Sequence, residues 1–203
     1  MTTKSVSAAI QERRSIRRVK KDPNVTKEQM EQLLQKAVYA PSAFNMQSGR
    51  MLLVMDEDNE KLWSIVEEEL RQVVPAEDFA ATEERLAGYR NGNGTILFFE
   101  DDATLEQMRQ NAPLYADSFI NWSYEGTGIL QYATWLLLEE AGLGASIQHY
   151  NPLIDEKVAA EWDIPKEWRL IAQIPFGAKD EEAAKREFLP FEDVVKVSEL
   201  PTT

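Results

Sequence analysis

The sequence contains no cysteine and only one histidine, His149, among its 203 residues. The absence of cysteine excludes disulfide bonds and thiolate chemistry, and it favours a reducing compartment. One imidazole without any thiolate leaves too few of the ligands that zinc prefers, so we predict no metal site. Because a lone histidine is most often structural or exposed, we assign His149 no acid–base role.

Positive charge and long apolar runs are scarce as well. The chain has 22 Lys and Arg residues against 35 Asp and Glu residues, a formal net charge of −13. Nucleic-acid binding requires a basic face, so we predict no nucleic-acid partner. Residues 1–14 lack the apolar core of a signal peptide, and the apolar stretch 129–138 is shorter than the roughly 20 residues that span a bilayer. We expect a cytoplasmic protein without a membrane partner.

The length suits a single domain over residues 1–203, organised around the stretch 119–150. Residues 129–138 contain only two polar side chains, which predicts a helix that is apolar all round and therefore buried. Gly142 suits a left-handed C-cap for this helix. The following residues 145–150 indicate a short strand, whose end would present backbone amides to a ligand.

Further elements are indicated by periodicity and by capping residues. Thr26 and Gln29 have the spacing of a capping box at the start of a helix over residues 26–39. Helices are also predicted at 5–14, 58–74 and 79–88, and apolar strands at 51–55, 95–100 and 168–176. We expect the charged residues 179–187 to be exposed and residues 188–197 to form an extended tail.

Four arginines lie within six residues in the segment Arg13-Arg14-Ser15-Ile16-Arg17-Arg18. If the segment is extended, Arg13, Ser15 and Arg17 share one face. Guanidinium groups suit phosphate oxygens, and a serine hydroxyl adds a donor. In so acidic a chain, the residue chemistry makes a phosphate-bearing ligand about as plausible as a solvated cluster of charges.

A second candidate lies in the loop from Pro41 to Ser48, where Asn45 and Gln47 place two amides beside Phe44. An ordinary turn is the alternative, because Asn and Ser favour turns whatever they bind. The chain has no G-x-G-x-x-G before a helix, and its Gly142-Leu143-Gly144-Ala145 segment follows one. A mononucleotide is therefore favoured over a dinucleotide seated on a helix N-terminus.

Together these motifs resemble the FMN-dependent nitroreductase family. The resemblance rests on Arg13-Arg14-Ser15-x-Arg17, then Pro41-Ser42-x-x-Asn45-x-Gln47, then the segment 142–146 after a long apolar helix. Ser48-Gly49-Arg50 replaces the proline–tryptophan usual in the family. With the ending at residues 148–152, this departure resembles the smaller branch related to the yeast fatty-acid-repression-mutant proteins. The resemblance implies an α+β fold, with a mostly antiparallel central sheet flanked by helices and a C-terminal strand exchanged in a homodimer.

The resemblance also implies an FMN site. Arg13 and Ser15 would hold the phosphate and ribityl end, Arg17 would face the pyrimidine edge, and Ser42 and Asn45 would come from the partner subunit. Backbone amides of Ile147, Gln148 and His149 would meet the flavin N5 region. Lys185 or Arg186 would contact the phosphate, and Arg14, Pro41 and Gln47 complete the predicted set.

The activity that the resemblance implies is reduction of nitroaromatic or quinone acceptors with hydride from NAD(P)H. The donor would leave before the acceptor stacks in the same open slot, which is a ping-pong mechanism. One alternative is a flavin-binding regulatory or sensing protein with little turnover. A further alternative, from another class, is a sugar-phosphate or nucleotide-binding regulator that uses the arginine cluster alone.

Overall fold

The computed structural model describes residues 4–198 and contains one antiparallel sheet. Its strands are β1 (Val19–Lys20), β2 (Gly49–Met55), β3 (Gly94–Asp101), β4 (Gly144–Ala145) and β5 (Trp168–Lys179). The order is β1-β5-β3-β2, with β4 also paired to β5, and every one of these ladders is antiparallel. With the helices around it, this sheet confirms the predicted α+β class.

Eight α-helices accompany the strands within residues 4–198. They are α1 (Val6–Glu12), α2 (Lys27–Ala37), α3 (Glu57–Val73), α4 (Phe79–Arg90), α5 (Asp102–Asn111), α6 (Phe119–Glu140), α7 (Asp155–Glu161) and α8 (Phe191–Val194). The capping box predicted from Thr26 and Gln29 is present at the start of α2. Over the same described range, no helix is long and apolar enough to cross a membrane.

Strand β3 lies at the centre of the molecule, and all eight of its residues are buried. Because side chains alternate along a strand, Leu97 and Phe99 pack towards α3, α4 and α7. Ile96 and Phe98 face the other way, into a second core with α2 and α6. The sheet is therefore covered by helices on both faces.

Helix α6 differs from its predicted burial. Its inner face is buried through Phe119, Thr134 and Leu138, but Ile129 is 44 % exposed and Tyr132 is 41 % exposed. Helices α1, α2 and α5 and the sheet pack against α6, and the side that carries Ile129 and Tyr132 is left uncovered by residues 4–198 of the single chain. The prediction of burial all round is thus wrong for one chain.

The end of α6 follows the prediction more closely. Gly142 has a φ of 81°, the left-handed conformation expected of a C-cap glycine. The strand predicted over residues 145–150 is shorter than expected: β4 contains two residues, and Gln148 adds one isolated bridge to Gln173. The chain then leaves the sheet edge towards α7.

The C-terminal segment after β5 is exposed. Residues 180–198 contain the short helix α8, and no strand occurs among them. The exchange of a C-terminal strand in a dimer therefore stays a prediction. Large apolar side chains of this segment that face solvent in the single chain are Phe188, Leu189, Phe191, Val194, Val195 and Val197.

Candidate functional site

The arginine segment lies beside β4, at the end of the central helix. Ser15 forms a parallel bridge with Ala145, and the Ile16 amide donates to the Ala145 carbonyl at 2.9 Å. Ile16 is 3 % exposed, whereas Ser15 and Arg17 are exposed. The extended segment thus anchors itself through Ile16 and presents its neighbours outwards, next to the predicted amide-bearing strand end.

Arg13 is half-buried, and its guanidinium lies 4.0 Å from the centre of the Trp135 ring. Its Nε and Nη1 atoms are buried and have no hydrogen-bond partner within the described chain. Burial lowers the pKa of Arg13, and the positive charge of Arg186 lowers it further. Buried N–H groups on a cation that already faces another cation are suited to an anionic ligand.

The segment after β5 closes over this cluster. The Arg14 guanidinium donates to the Ala184 carbonyl. Arg186 is half-buried, stacks at 4.3 Å on Phe188, and is near enough for its charge to act on Arg13. Lys185 is exposed. Of the two basic residues predicted to contact phosphate, the geometry brings Arg186 to the cluster.

Arg17 has a fixed backbone and an exposed side chain. Its amide donates to Oε1 of Glu181 at 2.5 Å. Its carbonyl oxygen lies so close to Gly88 that a Cβ there would approach it to 2.8 Å. Among residues 4–198, no carboxylate pairs with the Arg17 guanidinium, so its positive charge remains available to a ligand.

The strand end at residues 147–149 supplies fewer amides than predicted. The Gln148 amide donates to the Gln173 carbonyl at 2.8 Å, and the Gln173 amide returns a bond of 2.9 Å. Because Gln148 is used in this pairing, its backbone N–H is not available to a flavin. The prediction then depends on the amides of Ile147 and His149.

The loop before β2 is tightly built. The Ser42 hydroxyl accepts from the Gln47 amide at 2.9 Å, and the Gln47 side-chain amide donates to the Asn45 carbonyl at 3.3 Å. Phe44 is 60 % exposed, yet it stacks on Trp122 with ring centres 5.8 Å apart. Pro41, Ser42 and Gln47 line a cavity of about 200 Å³ against α6.

The arginine cluster and this loop do not meet within one chain. A Cβ on Gly126 would lie 3.5 Å from the Ser42 Cβ, whereas Arg13 packs on Trp135. Nine residues of α-helix span about 13 Å and turn through about 900°, so these two contacts lie on opposite sides of α6. The two groups of predicted flavin contacts are therefore held apart by the helix.

Comparison with known proteins identifies the family. The model of the nitroreductase family matches residues 10–178. The chain belongs to the nitroreductase family. The Saccharomyces cerevisiae proteins HBN1 and FRM2 are 34 % and 30 % identical over 138 residues, which are 68 % of this chain and 67 % of each relative. These relatives confirm the predicted fatty-acid-repression-mutant branch.

A solved structure extends the likeness of this nitroreductase-family chain to nearly its full length. CinD from Lactococcus lactis, in complex with chloramphenicol, matches with a TM-score of 0.87 and 38 % identity, covering 96 % of this chain and 100 % of CinD. Members of the nitroreductase family depend on FMN, which agrees with the cofactor expected from the sequence.

Two residues of the site were not predicted from the sequence. In the sequence, Trp135, which lies beneath Arg13, is one of the apolar residues of the stretch 129–138 and carries no sign of a role in the site. In the sequence, Arg50 stands out only as part of the departure from the family pattern, yet it donates to the Gln47 carbonyl at 2.6 Å. An arginine directly after a loop rich in polar groups was the available signal for the second.

Proposed function

We propose that this chain is an FMN-dependent oxidoreductase that takes hydride from NAD(P)H and reduces nitroaromatic or quinone-type acceptors by a ping-pong mechanism. The observation that carries the proposal is Arg13, whose two buried N–H groups have no partner among residues 4–198 and lie beside Arg14 and Arg186. Such a cluster suits the dianionic phosphate of a mononucleotide. The adjacent strand end and the exposed Ser15 extend it towards the rest of that ligand.

Relatives support the classes of donor and acceptor. CinD has been crystallised with chloramphenicol and with 4-nitrophenol, which both carry a nitro group on an aromatic ring. It has also been crystallised with nicotinic acid, whose pyridine ring is that of the nicotinamide cofactors. At 38–39 % identity over almost the whole chain, these ligands favour a similar range of compounds here.

The protein's part is to bind and orient. Bound FMN would supply the chemistry of accepting and releasing hydride. Arg13, Arg186 and Ser15 would fix the phosphate end, and Arg17 would offer its unpaired positive charge to the pyrimidine edge. A fixed cation located where negative charge develops stabilises that charge without reorganisation.

We also propose that the working form is a homodimer in which each flavin contacts both subunits. Helix α6 separates Arg13 from Ser42 in one chain, so a ligand that touches both groups needs the second group from another copy. The exposed apolar residues Ile129 and Tyr132, and those of the C-terminal segment, suit such an interface. If the C-terminal segment packs on the partner subunit, it could pair there as the exchanged strand that the resemblance implies.

The cofactor is tested with the purified protein. We expect a yellow protein, and acid extraction followed by chromatography should release about one FMN per subunit. Steady-state oxidation of NAD(P)H with a nitroaromatic acceptor should follow ping-pong kinetics. Recovery of FAD, or of no flavin after reconstitution, would contradict the flavin site. Bound FMN without turnover would instead favour the regulatory alternative.

The assembly is tested by sedimentation velocity at micromolar concentration. We expect a single dimeric species with FMN bound. A stable monomer that still binds FMN tightly would overturn the shared site, because it would show that one chain alone provides the contacts.

A further inference from the structure

We infer that Arg50 is a positioning residue that holds residues 41–47 in the flavin-binding conformation before the cofactor arrives. The inference rests on the proposed FMN site, since Ser42, Asn45 and Gln47 are its predicted contacts. It concerns a residue of β2 that lies directly after the loop and whose side chain returns to it.

Arg50 joins the loop to the neighbouring strand through one side chain. Its Nη1 donates to the carbonyl oxygens of Gln47 at 2.6 Å and of Gly49 at 3.2 Å. Its Nη2 donates to Oδ2 of Asp101 at 2.5 Å and to the Thr104 hydroxyl at 3.3 Å. A planar guanidinium can make these bonds in two directions at once, whereas a lysine ammonium on a flexible stem is a point charge.

Asp101 provides the fixed end of this arrangement. Its Oδ1 accepts from the amides of Ala103 and Thr104, at 3.1 and 3.4 Å, at the start of α5. Its own amide donates to the Ser48 carbonyl at 2.9 Å. Burial raises the pKa of Asp101, but hydrogen bonds from Thr104 and the charge of Arg50 outweigh burial and lower it. The carboxylate therefore stays ionised as the partner of Arg50.

The loop needs such a restraint because its backbone is strained. Phe44, Asn45 and Gln47 have φ angles of 53°, 54° and 49°. Residues other than glycine are disfavoured in this left-handed region, asparagine least of all, and they persist there only where their surroundings determine them. At Gln47, the amide is bound by the Ser42 hydroxyl and the carbonyl by Arg50. Both sides of the strained residue are thereby fixed.

A purely structural role for Arg50 makes a different prediction. If its ion pair with Asp101 only stabilised the fold, Arg50→Lys would retain most of the effect, because lysine keeps the charge. If Arg50 restrains the loop, lysine cannot reach both Asp101 and the Gln47 carbonyl, and the loop is released in spite of the retained charge. The two roles are thus separated by a local measurement of the loop.

The experiment is hydrogen–deuterium exchange on the FMN-free protein, combined with FMN titration. The variants are Arg50→Lys and Arg50→Met, with Arg50→Met/Asp101→Asn in case Asp101, left unpaired, prevents folding. Arg71→Met is the matched control, because Arg71, like Arg50, pairs with a carboxylate; its partner is Glu67 at 2.6 Å, and its guanidinium stacks on Phe79. Arg71 lies in α3, away from the loop.

We expect the amides of residues 45–47 to exchange about tenfold faster in the Arg50 variants, with those of α2 unchanged. The dissociation constant for FMN should rise about tenfold, which corresponds to about 1.4 kcal/mol. Arg71→Met should change neither quantity.

Unchanged exchange in the loop would overturn the inference, and so would faster exchange with unaltered FMN affinity. If Arg50→Lys behaved like the wild type in both measurements, the role of Arg50 would be limited to its ion pair with Asp101, and the inference would be wrong. A wild-type protein that binds no FMN would refute the proposed function instead. The exchange data, taken without FMN, would then still decide whether Arg50 orders the loop.

Discussion

Replacement of Arg13 by methionine should stabilise the FMN-free protein while it weakens FMN binding. Methionine retains much of the apolar stem and removes the two buried N–H groups, which lack partners in the described part of the chain. An unsatisfied buried polar group costs about 1–3 kcal/mol. Loss of the stacking on Trp135, at 4.0 Å, returns about 0.5–2 kcal/mol. We therefore expect a net gain of about 1–3 kcal/mol in the free energy of unfolding.

Addition of FMN should cancel most of this stability advantage of the variant. A ligand that binds only the folded protein contributes about 2.7 kcal/mol at a concentration one hundred times its dissociation constant. Loss of a charge-assisted contact worth about 1.5–3 kcal/mol would remove most of this gain at the same FMN concentration. Urea denaturation with and without FMN measures both effects at a fixed protein concentration.

Arg18→Met provides the control, because Arg18 belongs to the same segment but pairs with the exposed Glu84 at 3.6 Å. This variant should leave both stabilities nearly unchanged. If Arg13→Met lowered the stability of the FMN-free protein and left FMN binding intact, Arg13 would be a structural residue, and the phosphate site would have to be sought elsewhere.

Three further predictions concern the flavin potential, the pH dependence of stability and the sheet. Arg17→Ala should retain FMN, but the midpoint potential of the bound flavin should fall by about 30 mV or more, which is about 1.4 kcal/mol for two electrons. A potentiometric titration that overlays the wild type would refute this. Burial raises the pKa of Glu139, but hydrogen bonds from two lysines outweigh it and lower the pKa below 4.5, so its stabilising effect is present above pH 4.5 and is lost as the pH falls through the lowered value. Burial raises the pKa of Glu100 above 4.5, so the destabilising effect of its charge grows as the pH rises from 4.5. Urea titrations at pH 7 should therefore find Glu100→Gln more stable than the wild type and Glu139→Gln less stable. Gly177→Ala should lower the free energy of unfolding by about 1–3 kcal/mol, because the alanine Cβ would lie 2.6 Å from the Lys20 carbonyl oxygen. Calorimetry that showed an unchanged melting temperature would contradict the close approach of β1 and β5.

Elements with a local signal were predictable from the sequence. The capping box at Thr26 defined the start of α2, and the apolar run after Gly94 defined the central strand β3. The position of Gly142 gave the end of α6. In each case the residues that cause the feature are neighbours in the chain, so their pattern contains the information.

Features that depend on distant partners could not be predicted in this way. The Gln148 amide is used by Gln173, and no local pattern gives the register of that pairing. The apolar residues on the outer side of α6 lead to the prediction of a fully buried helix, because composition does not distinguish burial within one chain from burial between two chains. The same limit applies to Arg13, whose contact with Trp135 joins residues 122 positions apart.

The separation of Arg13 and Ser42 by α6 has a consequence for mixtures of subunits. In the proposed dimer, each flavin takes its arginines from one chain and its loop from the other. A hybrid of one Arg13→Met chain and one Ser42→Ala chain would therefore contain one pocket with both defects and one pocket with neither. Random pairing on co-expression makes about half of the dimers hybrids, so about a quarter of all FMN sites should again bind tightly. Such complementation between two individually weak variants would not occur if each subunit held a self-contained site.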